Sequence, residues 1–267
     1  MTPKISIITP SFNQGQYIEK TIRSVLDQQY PNLEYIIIDG GSTDQTVEII
    51  KKYEDHLTYW SSGRDKGQTD ALNKGFAKAT GDIYAWINSD DWYEKGVFQQ
   101  VAQAFSDPSV KLVIGDCMLH NESNVAADRL VKPEVTTFES MLRYWKDDFL
   151  PPQPSIFVAG DLMRKVLPLD ENLKYAMDMD LWLRLTKDYT FTYSGTLFSY
   201  YLIHNESKTG GGFNHFMPEW KMLSRRHLKK ASFIEKIRFY LAYSGYILRY
   251  AKNAVKARIG AGVDRIS

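Results

Sequence analysis

Tyr35-Ile36-Ile37-Ile38-Asp39-Gly40-Gly41-Ser42-Thr43-Asp44 decides how the rest of this 267-residue chain is read. A second stretch, Ile83-Tyr84-Ala85-Trp86-Ile87-Asn88-Ser89-Asp90-Asp91, repeats its pattern. Each apolar run has the length and β-branched content of a strand buried on both faces of a parallel sheet. Each therefore delivers carboxylates to the carboxyl end of a strand, the edge at which open α/β sheets bind ligands. Carboxylates gathered there suit a divalent cation and the diphosphate that it would neutralise. The chemistry this points to is nucleotide-dependent group transfer.

Working outward, Ile5 to Thr9 reads as a first strand stopped by Pro10-Ser11, Leu33 to Ile38 as a second, Leu57 to Trp60 as a third and Ile83 to Ile87 as a fourth. Helical spacing fills the intervals. Tyr17 to Leu26 puts Ile18, Ile22, Val25 and Leu26 on one side. Val47 to Tyr53 follows Ser42-Thr43-Asp44, which is N-cap material. Gln68 to Ala79 ends at Thr80-Gly81, and Val97 to Phe105 follows the fourth strand. This β-α-β-α-β-α-β-α alternation predicts an α/β fold with a doubly wound, mostly parallel sheet and right-handed crossovers. Beyond residue 110 the pattern loosens. Leu112 to Ile114 reads as a strand, Leu150-Pro151-Pro152-Gln153-Pro154 as a rigid loop and Asp178 to Thr186 as a helix. Phe191 to Tyr193 and Leu197 to Leu202 read as two strands, and Gly210-Gly211-Gly212 as a flexible joint before a helical end.

Composition fits an ordinary globular protein: 43% hydrophobic and 24% charged residues. The single cysteine, Cys117, excludes a disulfide framework and is expected to be a buried small hydrophobe in a cytoplasmic protein. No signal peptide is read at Met1-Thr2-Pro3-Lys4, and no stretch has the ~18 consecutive apolar residues of a membrane span. The net charge of +1 conceals an asymmetry. From Lys221 to Ser267 there are twelve Lys or Arg against two acids, Glu235 and Asp264, a surplus of ten that leaves residues 1–220 at −9.

Four motifs fall on the predicted ligand edge: Thr9-Pro10-Ser11-Phe12-Asn13, Asp39, Asp65 to Gly75, and Asn88-Ser89-Asp90-Asp91. In this order and at these spacings they resemble the inverting family-2 glycosyltransferases of the nucleotide-sugar-binding GT-A fold, over about residues 4 to 208. The resemblance implies a domain over 1–212, its half 1–110 holding the nucleotide sugar and its half 111–212 the acceptor, with 213–267 as basic amphipathic helices. It implies that Thr9 and Pro10, with Ser11 and Asn13, line the base pocket, and that Asp39 accepts a hydrogen bond from the imide of uracil. Asp65, Lys66 and Asn73 match positions that grip ribose and phosphates. Asn88, Ser89, Asp90 and Asp91 match the family's Asp-x-Asp region, with Asn in place of the first Asp. Asp90 and Asp91 would hold the metal, Mn²⁺ or Mg²⁺, and His204, in Tyr201-Leu202-Ile203-His204, would complete that site.

Asp178, in Met177-Asp178-Met179-Asp180-Leu181-Trp182, matches the family's catalytic aspartate, the general base that takes the acceptor proton. The glutamate that usually precedes it is Met177 here. Asp180 reads as a structural first-turn carboxylate. Gln153 resembles an acceptor-pocket residue, and Trp182 is placed with it on the acceptor side. The implied partners are a nucleotide-sugar donor, a UDP-sugar, and a glycan or lipid-linked acceptor; no nucleic acid partner is expected. Ala231 to Arg258, read as one helix, puts Arg238, Arg249, Lys252 and Lys256 on one stripe. Phe233, Tyr240, Ile247, Leu248 and Val255 fall on another. Such a helix suits an anionic membrane surface, so a peripheral position on the inner face of the cell membrane is expected. Two alternatives stay open: a nucleotidyltransferase that makes nucleotide sugars, which would be expected to carry a Gly-rich basic loop after the first strand, and a catalytically inactive nucleotide- or glycan-binding partner.

Overall fold

The computed structural model of the chain describes residues 2–133, 137–142, 151–205, 207 and 216–245. Strand β1 (Ile5–Ser11) runs parallel to β2 (Leu33–Asp39) on one side and to β4 (Ile83–Trp86) on the other, and β3 (Tyr59–Ser62) pairs parallel with β2. Period-two alternation assigns the faces. Ile5, Ile7, Tyr35 and Ile37 point to one layer, with Ile18, Ile22 and Val25 of α1 (Ile18–Leu26) and Ile49 and Ile50 of α2 (Thr46–Lys52). Ile8, Ile36 and Ile38 point to the other, against Leu72 and Phe76 of α3 (Gln68–Phe76). Both faces are buried, which is why these strands read as unbroken apolar runs.

The order β3-β2-β1-β4 is the doubly wound arrangement predicted, and the sheet then continues through strands that the sequence showed weakly. Next come β8 (Ile156–Ala159), β6 (Leu112–Asn121), β9 (Phe191–Ile203) and the short β5 (Trp92–Tyr93), with β7 (Arg129–Val131) off the edge of β6. Strand β8 runs antiparallel to both its neighbours, whereas β6 and β9 are parallel. Helix α4 (Val97–Ala104) shares the core layer of α1, the short α5 (Phe138–Met141) joins the layer of α3, and α6 (Gly160–Val166) follows β8 directly.

Several boundaries move for local reasons. The third strand begins at Tyr59, because a short 3₁₀ turn occupies Glu54–His56. Helix α3 ends at Phe76, where Ala77 caps it. Phe191 to Ile203 is one strand, not two: Ser194-Gly195-Thr196 stays within it as a bulge beside β6, with Gly195 at φ 73° where the pairing with Ile114 to Asp116 slips register. Cys117 is fully buried, as expected, and burial pushes its thiol up to about 12.

Helix α7 (Met177–Leu185) and helix α8 (Met217–Lys230) belong to the same core as α3. Trp220, Leu223 and Leu228 of α8 are buried there, so the described start of 213–267 packs into the body of the protein. The single helix expected from Ala231 is instead helical backbone over 233–245, separated from α8 by a break at 231–232. The glycine joint and residues 246–258 lie outside the described residues.

Candidate active site

The crossover through α1 covers one face of the sheet and α3 covers the other, so the chain reverses its winding between β1 and β4. That point is where doubly wound sheets open a ligand crevice at their carboxyl edge. Ser11 and Asp39 are register partners at this edge, and Ile87, just past β4, donates its N–H to Ile8.

Asp39 is 1% exposed and organises the loop after β2. Its Oδ2 accepts the Gly41 and Ser42 N–H groups at 3.0 and 2.9 Å and the Ser62 hydroxyl at 2.6 Å, while Oδ1 accepts the Ser42 hydroxyl at 2.5 Å. Gly41, at φ 85°, makes this tight return without strain. A Cβ on Gly40 would lie 2.9 Å from Asp65 Oδ2, so the loop carrying Asp65 rests directly on the Asp39 loop. Asp65 Oδ1 accepts the N–H of Gly67, the residue that caps α3.

The motif after β1 divides its labour. Thr9 is fully buried and meets the Tyr35 hydroxyl at 3.1 Å, so its side chain faces the core rather than the crevice; Pro10 is buried beside it. Ser11 Oγ is buried with no hydrogen-bond partner among the described residues. Asn13 is a brace: its N–H donates to Ser42 Oγ at 2.7 Å and its Oδ1 accepts the Thr43 N–H at 2.9 Å. Phe12 between them is 59% exposed. The sequence reading passed over it, although an aromatic residue in a polar loop at the ligand edge is a signal in its own right.

Lys66 is exposed and pairs with Glu171 at 3.3 Å. Asn73 does not point a free amide at the crevice. Its Nδ2 donates to Leu169 O at 3.0 Å and its Oδ1 accepts the Leu169 N–H at 2.8 Å, tying α3 to the segment before α7.

At the end of β4, Asn88 Oδ1 accepts from Gln68 Nε2 at 2.6 Å, and Gln153 Nε2 donates to Trp86 O at 2.7 Å. Gln153 is thus packed under the motif, with Ser89 buried beside it. The adjacent acids have separate environments. Asp91 is 1% exposed, its Oδ1 accepting the Leu202 N–H of β9 at 3.0 Å and its Oδ2 lying 3.2 Å from Asn88 Nδ2. Burial first, and then the Asp90 charge, hold its carboxyl well above the usual carboxylate range. Asp90 is half-buried, and its Oδ2 lies 3.1 Å from Nε2 of the buried His204, on which Tyr17 packs with ring centroids 4.5 Å apart.

Among the described residues no three His, Cys, Asp or Glu side chains are grouped to hold a metal. Of the expected set of Asp90, Asp91 and His204, the structure brings Asp90 Oδ2 and His204 Nε2 together, while Asp91 accepts the Leu202 N–H and lies beside Asn88 Nδ2. A carboxylate oxygen and an imidazole nitrogen converging this closely fit a divalent cation that takes its remaining ligands from phosphate and water.

Asp178 sits half-buried in the first turn of α7 and accepts the Met179 N–H at 2.7 Å. Trp182, one turn along, is 1% exposed and stacks on Trp86 at 5.4 Å with the rings 15° apart. The acceptor role given to Trp182 is therefore corrected: it fastens α7 to the end of β4 and has no surface for an acceptor. Asp180 is buried against Arg184 at 3.0 Å and His227 of α8 at 3.2 Å, a structural carboxylate. Met177 is buried too. With Thr69 of α3 donating to Leu173 O at 3.2 Å, the start of α7 lies beside the start of α3 at the same sheet edge.

One residue that no motif marks joins this site from α8. Glu219 accepts the N–H of Lys174 at 2.9 Å through Oε1, and those of Tyr175 and Ala176 at 2.8 and 2.9 Å through Oε2.

The comparisons agree with this architecture. The family model Glycosyl transferase family 2 matches residues 6–201. TuaG of Bacillus subtilis (strain 168), whose name assigns it to teichuronic acid biosynthesis, is 29% identical over 266 residues, 96% of this chain and 98% of its own. The GalNAc(5)-diNAcBac-PP-undecaprenol beta-1,3-glucosyltransferase of Campylobacter jejuni is 26% identical over 218 residues, 78% of this chain and 68% of its own. Among solved structures, S. aureus TarS 1-349 in complex with UDP-GlcNAc superimposes with a TM-score of 0.69 at 18% identity, over 87% of this chain and 68% of that one. A longer TarS chain is covered over 37% of its length and 76% of this chain, with a TM-score of 0.60 at 20% identity.

Proposed function

This chain belongs to glycosyl transferase family 2 and is a glycosyltransferase of the GT-A fold, and from that premise we propose that it moves a sugar from a UDP-sugar to an acceptor hydroxyl with inversion, Asp178 acting as general base. The observation that carries this reading is that Asp39 ends β2 and Asp90 follows β4 at the carboxyl edge of the parallel strands, while α7, which bears Asp178, is tied to that edge by Trp182 stacked on Trp86 and by Thr69 of α3 on Leu173 O. The nucleotidyltransferase alternative falls with family membership, and the residues Pro10 to Gln16 form no Gly-rich basic loop after β1.

The roles follow from the surroundings. The imide N–H of uracil donates to Asp39 Oδ1, the oxygen that accepts only the Ser42 hydroxyl. The exposed ring of Phe12 lies against a face of the base, and Ser11 Oγ gains the partner it lacks. Asp65 and Lys66 reach the ribose and the diphosphate. Asp90 and His204 hold a divalent cation, which when bound supplies Lewis-acid stabilisation of the departing diphosphate. Asp178 removes the proton from the acceptor hydroxyl as its oxygen bonds to the anomeric carbon. The bond from that carbon to the diphosphate oxygen breaks on the opposite face, and UDP leaves with the electron pair. A base placed in this way contributes about 10²–10⁴-fold to the rate.

The acceptor is a glycan in the assembly of a cell-surface polysaccharide, carried on a lipid. Two relatives support this: one is named for teichuronic acid biosynthesis, and the other for an undecaprenol-linked acceptor. A lipid carrier requires a surface that meets a membrane, and the helix over 233–245 has one. Phe233, Ile234, Ile237, Tyr240 and Leu241 are all exposed and fall within one arc of the helix, while Phe239 on the opposite side is buried in the core. Twelve Lys or Arg against two acids over residues 221–267 make an anionic lipid surface the partner that matches in charge. Among the described residues no helix is long and apolar enough to cross a membrane, so the proposed contact is with the surface.

Thermal unfolding with UDP, GDP or dTDP, each with and without Mn²⁺, tests the donor site. A nucleotide at 100 times its Kd adds about 2.7 kcal/mol of stability. A melting shift for UDP that depends on Mn²⁺ is expected; no shift with any nucleotide would overturn the reading.

A further inference from the structure

We propose that Glu219, on the C-terminal helix α8, is a positioning residue for the general base, so that the C-terminal extension is part of the catalytic machinery rather than an appendage; the proposal rests on Asp178 being that base. Residues 169–176 lead into α7 and lie between two helices. On one side α3 holds them through the Asn73–Leu169 pair of hydrogen bonds and the Thr69 hydroxyl on Leu173 O. On the other side the N–H groups of Lys174, Tyr175 and Ala176 converge on the Glu219 carboxylate at 2.8–2.9 Å. Three consecutive backbone donors on one carboxylate make a charge-assisted anchor, and such bonds are short and stronger than neutral ones. Ala176 is the N-cap of α7, and no capping side chain is present within α7 itself. Glu219 therefore supplies from a distant helix the acceptor that the N3 residue of a capping box would give to the N-cap N–H, two residues before Asp178.

Glu219 is itself held in place. It lies in the first turn of α8, after Pro218, where the missing proline N–H costs no helical bond. Trp220 beside it is buried, and the Phe216 ring meets the Tyr175 ring with centroids 5.4 Å apart. Midway along, α8 is fixed by the Ser224 hydroxyl on Leu142 O at 2.9 Å. Among the described residues Glu219 hydrogen-bonds Lys174, Tyr175 and Ala176, none of them a donor-pocket residue. Its loss should displace Asp178 relative to the acceptor while leaving the nucleotide in place, and misplacement by about 1 Å can cost about 100-fold in rate.

The variants Glu219→Gln, Glu219→Ala, Ser224→Ala and Asp178→Asn are compared by UDP affinity, melting temperature, and kcat and KM for sugar transfer or for release of UDP from the donor. Glu219→Gln keeps a carbonyl oxygen for Tyr175 and Ala176 but turns an N–H₂ toward Lys174, so it should retain part of the rate. The expected order of kcat is wild type, then Glu219→Gln, then Glu219→Ala, with a loss of about 10- to 100-fold in the last and UDP affinity within about two-fold. Ser224→Ala should loosen the same helix and lower the melting temperature with kcat unchanged. If Glu219→Ala lowers the melting temperature as Ser224→Ala does and leaves kcat alone, Glu219 is only a fold residue and the proposal is overturned. If Asp178→Asn keeps full rate, the reading of the base fails instead, and the two failures are told apart.

Discussion

Replacing Asp39 by Asn separates its two duties. The carboxylate accepts four hydrogen bonds: two N–H groups and the Ser62 hydroxyl on Oδ2, and the Ser42 hydroxyl on Oδ1. An Asn side chain can keep its oxygen where Oδ2 lies and place its N–H₂ at the position of Oδ1, provided that the Ser42 hydroxyl turns to accept. The geometry survives and the charge is lost. Bonds to a charged acceptor contribute about 1.5–3 kcal/mol and neutral ones about 0.5–1.5 kcal/mol, so Asp39→Asn should cost at most about 4–6 kcal/mol of stability over the four bonds. The effect on the ligand is sharper. The uracil imide is a donor and would now face a donor, whereas N3 of cytosine is an acceptor and would face a partner. Losing the charge-assisted bond and opposing two donors should weaken UDP by about 2–3 kcal/mol, or about 30- to 200-fold. Titration calorimetry of UDP and CDP against the folded variant should show UDP weakened, CDP strengthened and the order of preference reversed. Unchanged UDP affinity in a destabilised variant would refute the base-reading role and leave Asp39 as a brace of the loop alone.

Three further outcomes are expected. Glu34 is buried at the opposite edge of the sheet, where burial opposes its charge but the Ser6 hydroxyl and the Thr80 N–H and hydroxyl together hold its carboxyl below the usual range. A depressed folded value contributes stability that is full above the unfolded value of about 4.3 and is lost as the pH falls below it. Urea unfolding should therefore show Glu34→Gln about 1–3 kcal/mol less stable at pH 7, with the gap closing toward pH 3; a gap independent of pH would contradict this. Trp182→Ala should cost about 3–5 kcal/mol in the same assay, and the milder Trp182→Phe should leave the acceptor KM unchanged; a raised KM without loss of stability would return Trp182 to the acceptor site. The full chain should float with vesicles containing anionic lipid, and the combined Phe233→Ser, Ile237→Ser and Leu241→Ser variant should not; equal flotation of both would remove the membrane face.

The half of the fold built from β1 to β4 was legible because its signals are local. Ile36 to Ile38 and Ile83 to Ile87 are buried on both faces, so their composition alone marks a parallel strand, and the glycine-bearing loop after Asp39 must turn at once. The remaining strands depend on distant partners. Trp92 and Tyr93 form a strand only because Tyr200 and Ser199 lie beside them, and the Ser194-Gly195-Thr196 break is bridged by pairing with β6. The site divides in the same way. Asp90 and Asp178 stand in recognisable motifs, and their place on the sheet edge follows from topology. Their partners do not: the engagement of Asp91 with Leu202, of Asn73 with Leu169 and of Glu219 with the N-cap of α7 each spans more than forty residues of chain. Trp182 was ambiguous because an aromatic residue in an apolar helix can face a ligand or a core, and only Trp86 decides which.

The central claim is that Asp178 is the base of a transfer from a UDP-sugar bound at the β1–β4 edge. Its most direct test is UDP release from a panel of UDP-sugars in the presence of Mn²⁺, measured for the wild type and Asp178→Asn alongside the UDP affinity of each. The wild type should release UDP from at least one donor, and the variant should bind UDP within about two-fold yet release it about 10²- to 10⁴-fold more slowly. A variant that keeps the wild-type rate, or loses UDP binding in proportion to rate, would contradict the account.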